Sequence, residues 1–295
     1  MATRAAIALI GVAMLMGSRA SASEPVSIET LLRTADAVRS AEPKVFEAAL
    51  GELNRDIVRA SPTQRQEIAY LNAYAQVYAG KYDEGTRLAK ALIGSSPPVS
   101  LQFRAGVLIV NSNALSGRFN EGLRQVEHTL SLIDRVTDPE LREQGLLSAA
   151  TLYNQLGQYS LAKRYAELVI PAPATARNLC FASYIRFEAL LHLHAMPAED
   201  APLLGAIAQC AEQHEVMMAN LIRGTLARKW VVQGRSDKAL VELQQHLDEV
   251  LATHYPRLIV EIRSQLAELL LAKNDLGGAE LNALAVVAKT PDLAN

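Results

Sequence analysis

Five short segments of this 295-residue chain read alike. Gly80 opens Gly-Lys-Tyr-Asp-Glu-Gly, Gly117 opens Gly-Arg-Phe-Asn-Glu-Gly, and Gly157 opens Gly-Gln-Tyr-Ser-Leu-Ala. Gly234 opens Gly-Arg-Ser-Asp-Lys-Ala, and Asn274 opens Asn-Asp-Leu-Gly-Gly-Ala. The spacings are 37, 40, 77 and 40 residues. The value 77 is close to two periods, so a further unit with a degenerate turn is expected near Ala195 to Pro197. Glycine or asparagine just past a helix end takes the left-handed conformation that reverses the chain. Two places after the marker stands Tyr82, Phe119, Tyr159 or Leu276, with Ser236 the exception. Five places after it stands a small residue, Gly85, Gly122, Ala162, Ala239 or Ala279, which lets a second helix approach the first. A unit of this length is a helical hairpin that cannot bury its own apolar stripe and must stack on its neighbours.

Composition agrees with stacked helices. Half of the residues are hydrophobic but only 5% are aromatic, which favours many small helix–helix contacts. No long run alternates with period two, so the fold class is all-α. Upstream, residues 27–39 and 43–60 read as one more hairpin, with Pro43 in a first helical turn, where its missing N–H costs nothing. Asp138 followed by Pro139 reads as an N-cap and N1 pair. Ser160 is expected to cap the helix that follows Gly157.

The clearest unit carries Ala150, Tyr153, Gly157, Tyr159, Ala162 and Ala166. This order of small residue, Tyr, Gly, Tyr and Ala resembles a tetratricopeptide (TPR) repeat. The resemblance implies a right-handed superhelical array of about six to seven TPR-like hairpins. The expected organisation is a cleaved leader at 1–22, an N-terminal hairpin at 23–61 and the repeat array at 62–295.

The leader is read from Arg4, the apolar run from Ala5 to Met16 and an A-x-A site at Ala20-Ser21-Ala22. The run is too short to span a bilayer, which needs about 20 residues. Export, cleavage after Ala22 and a periplasmic location follow as expectations. Net charge is −2, or −4 without residues 1–22, and no basic stripe appears. That argues against nucleic acid and anionic lipid as partners. A membrane contact is expected only through a C-terminal continuation past Asn295.

Catalytic signatures are missing: there is no phosphate-binding Gly-rich loop after a strand, no H-E-x-x-H and no G-x-S-x-G. Neither a catalytic residue nor a cofactor is expected. His192 and His194 fall on different helix faces. Cys210 and His214 share a face, but a metal would need two further ligands, so no metal site is expected. Cys180 and Cys210 lie in the degenerate unit of an exported chain and could form a disulfide. Counted from a turn near Pro197, the two arms differ by roughly 6 Å in length, and the bond stays open on sequence grounds.

In TPR arrays the positions 13, 10, 6 and 3 before the turn marker line the concave groove. The resemblance therefore implies a binding face of Tyr70, Tyr74 and the adjacent Tyr78, then Arg104 and Asn111, then Gln144 and Asn154, and finally Arg228. The tyrosine stripe at i, i+4, i+8 reads equally well as packing between hairpins. Val107 stands where a chaperone-binding carboxylate clamp would need lysine. The partner is expected to be a protein or peptide, or a small acidic ligand.

Residues 71–82, Phe103-Arg-Ala105 with Asn111, residues 152–159 and residues 35–39 make the chain similar to the periplasmic input region of TPR-containing GGDEF diguanylate cyclases. That implies a sensor module whose membrane helix and cyclase domain are not in this sequence. A free-standing periplasmic TPR scaffold is the alternative. Gly277-Gly278-Ala279-Glu280 echoes the GGDEF letters but falls at the repeat's own turn.

Overall fold

The computed structural model describes residues 26–294, so the leader and its cleavage site lie outside the described residues. Six helices of 17 residues each set the frame: α3 (Pro62–Tyr78), α5 (Val99–Leu115), α7 (Pro139–Gln155), α9 (Ala176–His192), α11 (Val216–Val232) and α14 (Pro256–Ala272). Each is answered by an antiparallel second helix: α4 (Tyr82–Gly94), α6 (Phe119–Leu130), α8 (Tyr159–Glu167), α10 (Ala201–Glu212), α12 (Ser236–Gln245) and α15 (Leu276–Ala294). The short α13 (Leu247–Ala252) extends the fifth of these pairs. Ahead of them, α1 (Ile28–Val38) and α2 (Pro43–Arg55) make a seventh hairpin. No strand occurs among the described residues. The architecture is an all-α, right-handed superhelical array of TPR-like hairpins.

The first helices start where local chemistry lets them. Ser61 accepts from the Gln64 N–H, and Gln64 reaches back to the Ser61 N–H in a capping box. Asp138 accepts from Glu140 N–H, and Thr175 from Asn178 N–H. Pro43, Pro62, Pro139 and Pro256 each occupy an opening turn. Ser160 does not cap α8; Gln158 is the N-cap and Ser160 lies inside the first turn, because the chain resumes its helix two residues earlier than a Ser160 cap would place it.

The helices end at the turn markers. Gly80, Gly117, Gly157, Gly234 and Asn274 all have φ between 62 and 83°. The missing sixth marker is His194, at φ 52°. With it the spacing becomes 37, 40, 37, 40 and 40. At every marker the next residue's N–H closes back on the helix, in bonds of 2.8–3.0 Å: Lys81 to Gln76, Arg118 to Asn113, Gln158 to Tyr153, Ala195 to Leu190, Arg235 to Trp230 and Asp275 to Leu270. This is the Schellman closure, repeated six times.

Packing between the paired helices depends on the small position five residues past the marker. A Cβ on Gly85 would lie 2.4 Å from Val77 Cγ2 and 3.1 Å from the Ala73 carbonyl, so only glycine fits there. Ala162 and Ala239 are fully buried at the same position. The apolar core runs from hairpin to hairpin: Leu32, Phe46 and Ile68 share one cluster, and Cys180, Ile222 and Ile262 share another. Cys180 and Cys210 are disulfide-bonded, with Cα atoms 5.7 Å apart. Helix α9 ends at His192 and α10 begins at Ala201, and the connection between them takes up the difference in arm length.

Candidate functional site

The array curls until distant repeats touch. The Tyr78 hydroxyl on α3 donates to the Thr253 carbonyl at 2.9 Å, and the Tyr78 and Tyr255 rings lie 5.0 Å apart. Arg177 at the start of α9 donates to the Ala37 carbonyl at 2.6 Å. Arg257 on α14 donates to the Leu115 carbonyl at 3.5 Å and to Gln155 Oε1 at 3.1 Å. These contacts turn the concave face into a central cavity of about 190 Å³.

Six of the eight residues expected to face the groove line this one cavity: Tyr70, Tyr74, Tyr78, Asn111, Gln144 and Asn154. They come from three successive first helices, α3, α5 and α7. The tyrosines also pack: Tyr74 meets Phe46 edge-on at 5.8 Å and stacks on Tyr78 at 6.0 Å. Burial pushes the Tyr74 phenol up to about 12 and raises those of Tyr78, Tyr184 and Tyr255 as well, so all four remain neutral donors.

Arg104 and Arg228, also expected in the groove, do not line this cavity. Both are engaged by carboxylates of other hairpins rather than free to meet a ligand. Arg104 is paired with Asp36 on α1 and lies over the Tyr70 ring, 4.1 Å from its centre. It lines a separate cleft with Glu29 and Glu67. Burial works to raise the Asp36 carboxyl, but Arg39 and Arg104 outweigh it and hold Asp36 below the usual range. Arg228 is paired with Glu188 on α9 and with Glu261 on α14 at 3.3 Å.

Several cavity residues were not foreseen. Phe181 and Tyr184 stand 13 and 10 residues before His194 and so occupy the groove positions of the fourth repeat. The missing glycine at 194 hid the phase. Arg39, Arg177, Tyr255 and Arg257 lie outside the four groove positions of any repeat and reach the cavity because the superhelix closes. The cavity lining holds three arginines and no carboxylate. Three of its residues hold a buried polar atom without a hydrogen-bond partner: Ser40 Oγ, Asn111 Oδ1 and Asn154 Oδ1. Among the described residues no group of three or more His, Cys, Asp or Glu side chains could hold a metal ion, and no helix is long and apolar enough to cross a membrane.

The fold and this lumen define the chain as a TPR-like helical-repeat protein. Its likenesses are structural. A Rap protein, solved in complex with Competence and Sporulation Factor, superposes with a TM-score of 0.67 at 11% identity, over 91% of this chain and 78% of that one. BtubC (BKLC) from P. vanneervenii superposes with a TM-score of 0.51 at 13% identity, over 79% of this chain and 92% of that one. No protein family and no curated protein matches the chain in sequence.

Proposed function

We propose that this protein is a binding module whose ligand, a peptide, a protein segment or a small acidic molecule, seats in the central cavity. The observation that carries this reading is the central cavity itself, whose lining holds three arginines and no carboxylate. Arg39 and Arg177 are paired with Asp36 and Glu215, which leaves Arg257 as the lining cation in no ion pair among the described residues and so able to attract an acid. The Rap protein's complex with Competence and Sporulation Factor supports a peptide or protein as the partner. No residue set in the cavity supports catalysis.

The finer reading is an exported, periplasmic sensor that feeds a GGDEF diguanylate cyclase, and it rests on the sequence resemblance alone. A free periplasmic scaffold for protein–protein interaction is the second reading, supported by the same array. A membrane helix and GGDEF motif encoded downstream in the same frame separates the two. N-terminal sequencing of exported material should begin at Ser23; an intact Met1 in the membrane fraction would replace the cleaved leader with an anchor.

The binding role is tested with a library of capped tetrapeptides read by thermal shift. Hits should stabilise the wild type and not Asn154→Phe, whose ring fills the cavity in place of an amide oxygen that has no hydrogen-bond partner. Hits that stabilise both equally, or no hits, would contradict a ligand in this cavity.

A further inference from the structure

Arg257 differs from the other two arginines of the cavity. Arg39 is paired with Asp36 at 2.6 Å and Arg177 with Glu215 at 3.4 Å. Arg257 donates to the Leu115 carbonyl and to Gln155 Oε1 and makes no ion pair among the described residues, although the Glu261 charge acts on it from one turn away. Glu261, one turn along the same helix, gives its carboxylate to Arg228 instead. A guanidinium held away from water without a counter-ion is costly, and its planar fork matches a carboxylate.

The two anchors of Arg257 lie at the last turns of α5 and α7. Asn111 is one turn before Leu115 on α5, and Asn154 is the neighbour of Gln155 on α7. One turn is about 5.4 Å along a helix. Arg257 and the residues Asn111 and Asn154 therefore line the same end of the cavity. That end offers a cation to an anion, with two polar amide residues beside it. The rest of the wall, with Phe181, Tyr184, Tyr255, Met217 and Met218, asks for an apolar body. An engineered apolar cavity of about 150 Å³ accepts benzene, so about 190 Å³ has room for one apolar side chain with its flanking carboxylate and amide.

We propose that the cavity takes an N-acylated α-amino acid unit with an apolar side chain, either free or as the last residue of a peptide. Its carboxylate sits on Arg257, its amide near the polar Asn111 and Asn154 end, and its side chain among the rings. This deepens the binding role argued above and rests on it.

The test is calorimetric titration of the full chain with four probes: N-acetyl-leucine, its amide, a capped tetrapeptide ending in leucine, and that peptide's amide. Each acid should bind at least about ten-fold more tightly than its amide. Arg257→Met should bring each pair within about two-fold, and Arg257→Lys should keep part of the preference. A peptide acid that binds about ten-fold more tightly than N-acetyl-leucine makes a peptide terminus the source; equal affinities make it the free acylated amino acid. Equal binding of acid and amide to the wild type would overturn the carboxylate seat while leaving the cavity a binding site, and needs no variant to read. Failure of all four probes would overturn the seat as well; the broader binding role falls with it only if the tetrapeptide library also yields nothing.

Discussion

Arg104 and Arg228 show how one residue type at one repeat position acquires different work. Both were legible as polar residues in apolar helices. What a linear pattern does not carry is the carboxylate that another hairpin brings to each. Truncating Arg228 leaves Glu188, whose side chain is 6% exposed, without its cation. Breaking such a buried pair is strongly destabilising, so Arg228→Ala should lose about 2–3 kcal/mol of stability in a denaturant titration. Arg104→Ala should lose about 1 kcal/mol or less, because Asp36 is 41% exposed and keeps Arg39. Equal, negligible losses would return both residues to an open groove. Glu261 carries the pH dependence. Burial raises its carboxyl, and the Glu188 charge adds to that; Arg228 and Arg257 oppose them, and the group settles at about 7. The unfolded chain releases this proton near its ordinary value of 4.5. Between those two values the folded state binds more protons, so stability falls as pH rises from 4.5 to about 7 and is flat above. Glu261→Gln should flatten the melting temperature between pH 5 and 8. An unchanged slope would place the titration elsewhere.

At the scale of the element, the repeat was legible because each first helix must stop and reverse within a few residues. That requirement leaves a left-handed residue as a visible mark, and five of the six marks were glycine or asparagine. The sixth, His194 at φ 52°, was not, and histidine takes the left-handed region far less often than glycine, so it is a weaker mark. One unrecognised mark concealed the phase of the fourth hairpin and with it Phe181 and Tyr184. A left-handed residue with a Cβ costs roughly 1–2 kcal/mol that glycine avoids. His194→Gly should therefore raise stability by about 1 kcal/mol and the melting temperature by about 2 °C, provided the turn keeps its Ala195 to Leu190 hydrogen bond. Gly157→Ala is the converse: its site has open space for a Cβ but φ 73°, so about 1 kcal/mol should be lost. A His194→Gly protein that melts lower than wild type would mean that the imidazole makes a contact worth more than the strain.

For the whole molecule, the array and its helix count follow from local rules, but the closure does not. Tyr78 and Thr253 are 175 residues apart, and Arg177 and Ala37 are 140 apart. Whether a superhelix of seven hairpins leaves an open groove or a closed lumen depends on the small rotation added at each step. Those rotations come from side-chain volumes at every interface and have no signature of their own in the chain. Hence the tyrosine stripe and Asn111, Gln144 and Asn154 could be placed on one face, whereas Tyr255, Arg257 and Arg39 could not. The methionines give a direct view of the lumen. Met217 and Met218 line it, and Met196 packs against the core elsewhere. The decisive measurement is methyl NMR of the ¹³C-methionine-labelled chain titrated with the leucine-ended tetrapeptide acid. Saturable shifts at Met217 and Met218 with Met196 unmoved are the expected result. A peptide that binds while both cavity methyls stay still would contradict the central cavity as the binding site.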